Sequence, residues 1–152
     1  MYLKDFIDKY NAKHIKMFVD MDGVIAHYDV GKAYDFHKKR PLISSISKLE
    51  TISKLENVEL FILSVSVKDE GIQQKNSWLD KFAPFFKKEN RVIISKESNP
   101  GKKAKELKAE YMKKFIRDDS IIIIIDDDPE VIREIMKENP DVILLKDTAL
   151  VD

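Results

Sequence analysis

The sequence predicts an α/β fold in three layers, a parallel sheet with helices on both faces. Three observations predict it. Short apolar runs alternate with segments of helical periodicity along the chain. The runs are continuously apolar instead of alternating, as in strands buried on both sides. Acids and a serine stand immediately after several of them, where sheets of this kind place ligands beyond the carboxyl ends of the strands.

The elements follow in order. Residues 3–10 put Leu3, Phe6, Ile7 and Tyr10 on one helical face. Residues 15–19 form a short buried strand that stops at Asp20. Pro41, at the favoured first turn, opens a helix carrying Ile43, Ile46, Leu49, Ile52 and Leu55. Asn57 breaks it, and residues 58–63 are the next strand, followed by Ser64. Residues 71–82 read as helix and 91–94 as strand. Residues 102–116 are a Lys-rich helix with Ala104, Leu107, Tyr111 and Phe115 as its inner stripe. Residues 121–125 are five isoleucines in a strand, Pro129 starts a helix through Met136, and 142–145 are the last strand. No repeat or Gly/Pro/Ser-rich linker divides the chain, so residues 1–152 read as one domain.

Composition narrows the function. Lys plus Arg and Asp plus Glu number 27 each, for a formal net charge of +0. That excludes a whole-molecule basic field for nucleic acid and leaves only a local patch. The absence of Cys excludes disulfides, a thiol nucleophile and a thiolate zinc site. The longest aliphatic run, Ile121–Ile125, is too short for a bilayer. Lys4, Asp5, Asp8 and Lys9 interrupt any apolar leader core. The expectation is a cytoplasmic protein with no membrane partner.

The strand ends carry the chemistry. Asp20-Met-Asp22-Gly23 follows the first strand, and Asp126, Asp127 and Asp128 follow the isoleucine strand. Carboxylates gathered on one edge repel one another unless a cation lies among them. Carboxylate oxygens, a main-chain carbonyl and water are the ligands of Mg²⁺. Asp128 precedes Pro129 and has a simpler reading as a helix cap. Asp20, Asp22 and Asp126 together have none.

Asp20-Met-Asp-Gly-Val24 after an apolar strand resembles the first motif of the haloacid dehalogenase-like (HAD) phosphohydrolase superfamily. Ser64 resembles its second motif and Ile125-Asp-Asp127 its acidic fourth, in the family's order and across residues 15–145. Lys75-x-x-Trp78-Leu79 and Lys108-Ala-Glu-Tyr111 are similar to the 5′-nucleotidase (deoxyribonucleotidase) branch, and also to the 3′-phosphatase domain of polynucleotide kinase-phosphatases. The resemblance implies a Rossmann-like (HAD-like) sheet of five strands and a two-step phosphoryl transfer. Asp20 would attack phosphorus, and Asp22 would protonate the leaving oxygen and then activate water. Mg²⁺ would be held by Asp20, the carbonyl of Asp22 and an acid of the fourth motif. The family pattern puts Asp127 on the ligand position, with Asp126 a neighbouring carboxylate just outside it. Ser64 would donate to a phosphate oxygen, aided by the N–H groups of 65 and 66.

The third motif requires a Lys between nucleophile and phosphate. Lys108 fits by context; Lys102 fits a longer spacing and follows Asn99-Pro-Gly101 at a helix start. Six helical residues rise about 9 Å, so both cannot occupy one helix end. Lys75 is a further candidate for substrate phosphate. Other residues have plainer readings: Trp78 as core, the remaining lysines of 102–114 as a solvated face, and His14, His27 and His37 as surface or loop. His27 and Tyr28 nonetheless follow the first motif, where the family places substrate-contacting loops.

Response-regulator receiver domains also combine acids, Ser/Thr and Lys around Mg²⁺, but there the acid pair comes after the first strand. Here Asp-x-Asp-Gly comes first and the pair late. Residues 24–40 suffice for a loop or small hairpin, and 65–101 are consumed by core elements, so a cap domain is minimal or missing. The expected substrate is a small phosphorylated molecule, first a nucleotide 5′-phosphate and second a nucleic-acid 3′-phosphate, which the neutral charge disfavours. A catalytically silent phosphate-binding or interaction module is the non-enzyme alternative.

Overall fold

Five parallel strands in the order β3-β2-β1-β4-β5 form the sheet of the computed structural model, which describes residues 3–10, 13–28 and 35–150. The strands are β1 (Ile15–Val19), β2 (Val58–Ser66), β3 (Arg91–Ser95), β4 (Ile121–Ile125) and β5 (Ile143–Leu145). The helices are α1 (Leu3–Asp8), α2 (Ile43–Ser53), α3 (Glu70–Phe82), α4 (Ala104–Met112) and α5 (Pro129–Glu138). This is the three-layer, Rossmann-like α/β architecture expected from the sequence.

Each central strand feeds two cores because successive side chains point to opposite faces. Met17 and Val19 of β1 and Ile123 and Ile125 of β4 join Ile46, Leu49 and Ile52 of α2 and Trp78 and Leu79 of α3. Phe18, Ile122 and Ile124 face the other way, against Ala109 and Met112 of α4 and Val131 and Ile135 of α5. β1 pairs from Ile15 to Val19 with β2 on one side and β4 on the other, so it is central and fully laddered. The chain winds outward from β1 through β2 to β3, then returns to β4 and winds the other way. The order therefore reverses between β1 and β4, and the crevice beyond their carboxyl ends is where such a sheet binds ligands.

Several boundaries differ from the sequence reading. Pro41 does not open α2, which starts at Ile43; Pro41 lies extended beside Ala26. His27 N–H donates to Arg40 O (2.9 Å) and Leu42 N–H to Ile25 O (2.8 Å), and this antiparallel pairing holds the chain straight for two further residues. β2 runs past 63 to Ser66 because β3 pairs with residues 62–66, so Ser64 lies inside a strand, opposite Ile93. The helix read over 102–116 is regular only over Ala104–Met112 and tightens into a 3₁₀ turn at Lys113–Phe115.

Between residues 65 and 101 the chain is spent on the end of β2, α3 and β3. Among the described residues between Gly23 and Pro41 the one regular element is a 3₁₀ turn, Phe36–Lys38, packed on α3. The fold is capless among the described residues. None of their helices is long and apolar enough to cross a membrane.

Candidate active site

Asp20 is the first residue past β1, and its N–H is tied to Ile125 O of β4 (3.0 Å). The chain then turns sharply. The N–H groups of Val24, Ile25 and Ala26 all converge on Met21 O (3.2, 3.0 and 3.0 Å), and Gly23 N–H reaches Ala26 O (2.8 Å). Gly23 has φ of +78°, which a side chain would strain. A Cβ there would also lie 2.1 Å from Asp127 Oδ2. The glycine therefore lets two strand ends approach. The Asp22 carbonyl is left outside this bonding, with no main-chain donor among the described residues.

Asp126 and Asp127 follow β4. Asp126 is buried, and both its oxygens are taken: Oδ2 accepts from Lys108 Nζ (2.7 Å) and Oδ1 from Asp128 N–H (2.9 Å). Asp127 is half-buried, and its carboxylate makes no ion pair among the described residues. Asp20, Asp126 and Asp127 each present a carboxylate oxygen within 4.8 Å of the others. Asp128 caps α5 by accepting from Glu130 N–H (2.9 Å), the role its position before Pro129 predicts.

Lys108, on α4, is buried and lies 3.0 Å from Asp20 Oδ1 as well as 2.7 Å from Asp126. Lys102 lies away from this cluster, before α4, where it pairs with Glu110 (2.8 Å) on the surface. Lys75 reaches in from α3. Its ammonium donates to Ser64 Oγ (2.6 Å), Val65 O (2.9 Å) and Asp22 Oδ2 (3.3 Å), which uses all three of its protons. Ser64 is thus brought to the site as a fully buried strand residue whose hydroxyl already meets Lys75, and residues 65 and 66 are strand positions paired with Ile94 and Ser95.

Lys39 joins the site although its sequence context does not single it out. It is only 5% exposed and hydrogen-bonds Asp22 Oδ1, opposite Lys75. Trp78 Nε1–H donates to Lys39 O (2.9 Å), and Phe36 lies beneath both ammonium groups, 4.9 Å from that of Lys39 and 5.0 Å from that of Lys75. Trp78 is core, as expected, but it also fixes the Lys39 backbone. The signal was faint: Lys38-Lys39-Arg40 looks like an ordinary basic run, and only the unforeseen pairing of 25–27 with 40–42 turns Lys39 inward.

These placements set the charges. Burial pushes the Asp20 carboxyl up to about 7, with Lys108 opposing and Asp126 reinforcing. Burial and the neighbouring Asp126 raise Asp127 to about 6. Asp22 goes the other way: burial works against its charge, but Lys75 and the hydrogen bond and charge of Lys39 outweigh it, and its pKa falls. Burial lowers Lys75 despite Asp22 and Asp20, whereas the pull of Asp20 and Asp126 overcomes burial at Lys108 and raises it. Lys108 is therefore a fixed cation, and Asp20 and Asp127 are carboxylates short of positive charge.

The cleft over this cluster holds about 270 Å³ and is walled by Asp20, Asp22, Lys108 and Asp127 within and Tyr28, Val67 and Lys96 further out. A larger groove of about 880 Å³ between α1 and α2 is lined by aliphatic residues such as Leu3, Ile43, Ile52 and Leu55, and no ionic cluster converges there. His27, by contrast with Tyr28, is not part of the cleft wall.

No family model matches the chain, and no curated protein does. Solved structures share its fold. A chain in the structure of the Pnkp1/Rnl/Hen1 RNA repair complex superimposes with a TM-score of 0.68 at 14% identity, over 89% of this chain and 42% of its own length. A chain in another structure of the Pnkp1/Rnl/Hen1 complex gives 0.69 at 13% identity, over 89% and 46%. The present chain spans less than half the length of either, and at such identities the likeness is one of fold.

Proposed function

We propose that this chain is a Mg²⁺-dependent phosphomonoester hydrolase of the HAD type that works through an aspartyl-phosphate on Asp20. One observation carries the reading: a buried carboxylate at the end of the central strand faces a buried lysine at 3.0 Å and shares a cluster of acid oxygens with the end of the next strand. The donor set suits the ion. Its atoms are hard oxygens, Asp127 lacks a cationic partner among the described residues, and the carbonyl of Asp22 is unused. Asp20, Asp127 and that carbonyl would hold the metal, with Asp126 orienting Lys108. When bound, Mg²⁺ would offset the charge of the phosphoryl group and of its attacker.

The protein's own groups do the rest. Lys108 positions Asp20 and places a permanent positive charge beside the incoming phosphate. Asp20 supplies the attacking oxygen, forming the P–O bond as the bond to the leaving oxygen breaks. Asp22, two residues on, gives that leaving oxygen a proton and takes one from the water that hydrolyses the intermediate. The pair of lysines on Asp22 stabilises its carboxylate form, which suits the second, base step and works against the first, for which Asp22 must first take up a proton. Lys75 also ties α3 to β2 through Ser64 and Val65.

The substrate is a phosphate borne on a nucleotide. The sequence alone put a mononucleotide 5′-phosphate first. The absence of a covering element among the described residues, and the fold likeness to chains of an RNA repair complex, support a nucleic-acid 3′-phosphate instead. The test is phosphate release from a chromogenic phosphomonoester with Mg²⁺ and with EDTA, for wild type and Asp20→Asn. Turnover that needs both the metal and Asp20 is expected. Absence of metal-dependent release from any phosphomonoester overturns the reading and leaves a phosphate-binding module.

A further inference from the structure

The cleft is small beside the nucleotide it would act on. Pockets that enclose drug-sized ligands measure roughly 300–1,000 Å³, and this one, at about 270 Å³, is walled within by acids and Lys108, a space that a phosphoryl group and its metal would occupy. The remainder of the substrate must lie on the rim. Three rim residues had no part in the chemistry above: Tyr28, Val67 and Lys96.

Their properties are specific. Tyr28 is 70% exposed and Val67 43%, two of the few large apolar side chains that the described surface leaves open, and both edge this one cleft. The Lys39 ammonium lies 5.8 Å from the Tyr28 ring centroid, and the rest of the ring is open to solvent. Lys96 follows β3, and its N–H is fixed to Ser66 O (2.9 Å). Its ammonium has no hydrogen bond or ion pair among the described residues, whereas Lys108, the other lysine that lines the cleft, is matched to Asp20 and Asp126.

Strand order gives the rim a direction. Asp126, Asp127 and Asp128 stand after β4, on one side of Asp20; Val67 and Lys96 stand after β2 and β3, on the other. A leaving group with further negative charge is repelled toward the second side. β3 lies two strand spacings from β1, on the order of 10 Å, within reach of a lysine side chain for a group one sugar away from the scissile phosphate.

We infer that Tyr28, Val67 and Lys96 form a leaving-group subsite for a nucleotide that carries a second, non-scissile phosphate, the ring packing on Tyr28 and Val67 and the phosphate meeting Lys96. This rests on the phosphomonoesterase reading and names the substrate features that the same site selects. An aromatic face accepts any base, because every base has a π-face, so the subsite is tolerant of sequence. One lysine on one phosphate is also compatible with a chain of no net charge, since it needs a local contact and not a general field.

The test compares a nucleoside 3′-monophosphate, a 3′-phosphorylated dinucleotide with the same terminal base, and glycerol phosphate as a ring-free control. Both kcat/KM of the Mg²⁺-loaded protein and equilibrium binding to its Asp20→Asn variant are measured, each also with Lys96→Gln and Tyr28→Ala. Lys96→Gln should remove a preference of roughly tenfold for the dinucleotide, leave the mononucleotide unchanged, and reduce the salt dependence by about one contact. Tyr28→Ala should weaken both nucleotides by about tenfold and leave glycerol phosphate alone. Equal handling of mono- and dinucleotide by wild type, or a loss in Lys96→Gln that is the same for both, overturns the subsite. Turnover without the pattern defeats the subsite alone; the binding pattern without phosphate release defeats the hydrolase alone; no binding of any of the three defeats both.

Discussion

Asp22 sits between two lysines, and that arrangement bears on how an acid in this position is controlled. Lys39 and Lys75 hold its two oxygens from opposite sides, and both lie over the face of Phe36. Lys75 is anchored to Ser64 and Val65 as well, so it cannot leave without disturbing β2. The Lys39 ammonium has Asp22 as its one hydrogen-bond partner among the described residues. Removing it would raise the affinity of Asp22 for a proton, which alone favours the acid step, but would free the carboxylate to turn away from the leaving oxygen, and the loss of aim dominates. Lys39→Met should therefore change turnover according to the leaving group. Alkyl phosphates, which need protonation on departure, should lose about tenfold or more in kcat, against little change for p-nitrophenyl phosphate, which does not. Steady-state kinetics over a series of leaving groups checks it, and an equal loss across the series assigns Lys39 to structure alone. Asp20, Asp22, Asp126 and Asp127 were legible because each stands within three residues of the end of an apolar strand. Lys108 was not separable from Lys102 by spacing; what separates them is that α4 begins at Ala104 and leaves Lys102 with Glu110 on the surface. Lys39 was invisible because its inward turn depends on a pairing between two irregular segments.

At the scale of elements, β4 does two things at once. Its side chains alternate between the cores, with Ile123 and Ile125 toward α1–α3 and Ile122 and Ile124 toward α4 and α5. Its end delivers Asp126 and Asp127 to β1. Five identical β-branched residues fit a strand buried on both faces, and they made this element readable to the residue. Ile123 is fully buried, so Ile123→Ala should cost about 2–5 kcal/mol by loss of burial and creation of a cavity. Chemical denaturation measures it; a cost below about 1 kcal/mol would mean that Ile123 is not packed in the core. β2 was misread for the converse reason. Its apolar run stops at Leu63, and the continuation through Ser64, Val65 and Ser66 comes from pairing with β3, a tertiary cause that a local pattern does not carry.

For the whole molecule, the acid cluster sets the pH dependence. Asp20 and Asp127 have pKa values raised from 3.8 to about 7 and about 6. The native state therefore keeps protons that the unfolded chain has already released at mildly acidic pH. Stability from these groups is full below about pH 4 and is lost as pH rises toward about 7, by an amount on the order of 3 kcal/mol. Metal-free protein should accordingly melt at a lower temperature at about pH 8 than at about pH 5. Asp20→Asn should flatten that slope, because it removes the group with the larger shift while Lys108 keeps Asp126. Added Mg²⁺ should raise the melting temperature more at the higher pH, where the acids are ionised and bind it. Calorimetric scans across pH, with and without the metal, check all three; a slope of opposite sign overturns the electrostatic account. The three-layer architecture itself was legible from alternation and from continuous apolar strands. Strand order was not, since nothing local to β1 states that β4, and not β3, is its second neighbour.

That second neighbour has a bearing on synthesis. β1 is made early and β4 late, yet they lie side by side at the middle of the sheet. A nascent chain that ends before residue 121 can lay down β1, β2 and β3, but it leaves one flank of β1, with Met17, Phe18 and Val19, unzipped. Such an open edge is a template for stray pairing. Translation of this chain thus passes through a long interval in which half a sheet waits on the ribosome with its most adhesive border uncovered, and the run of isoleucines that closes it also brings the last acids into place.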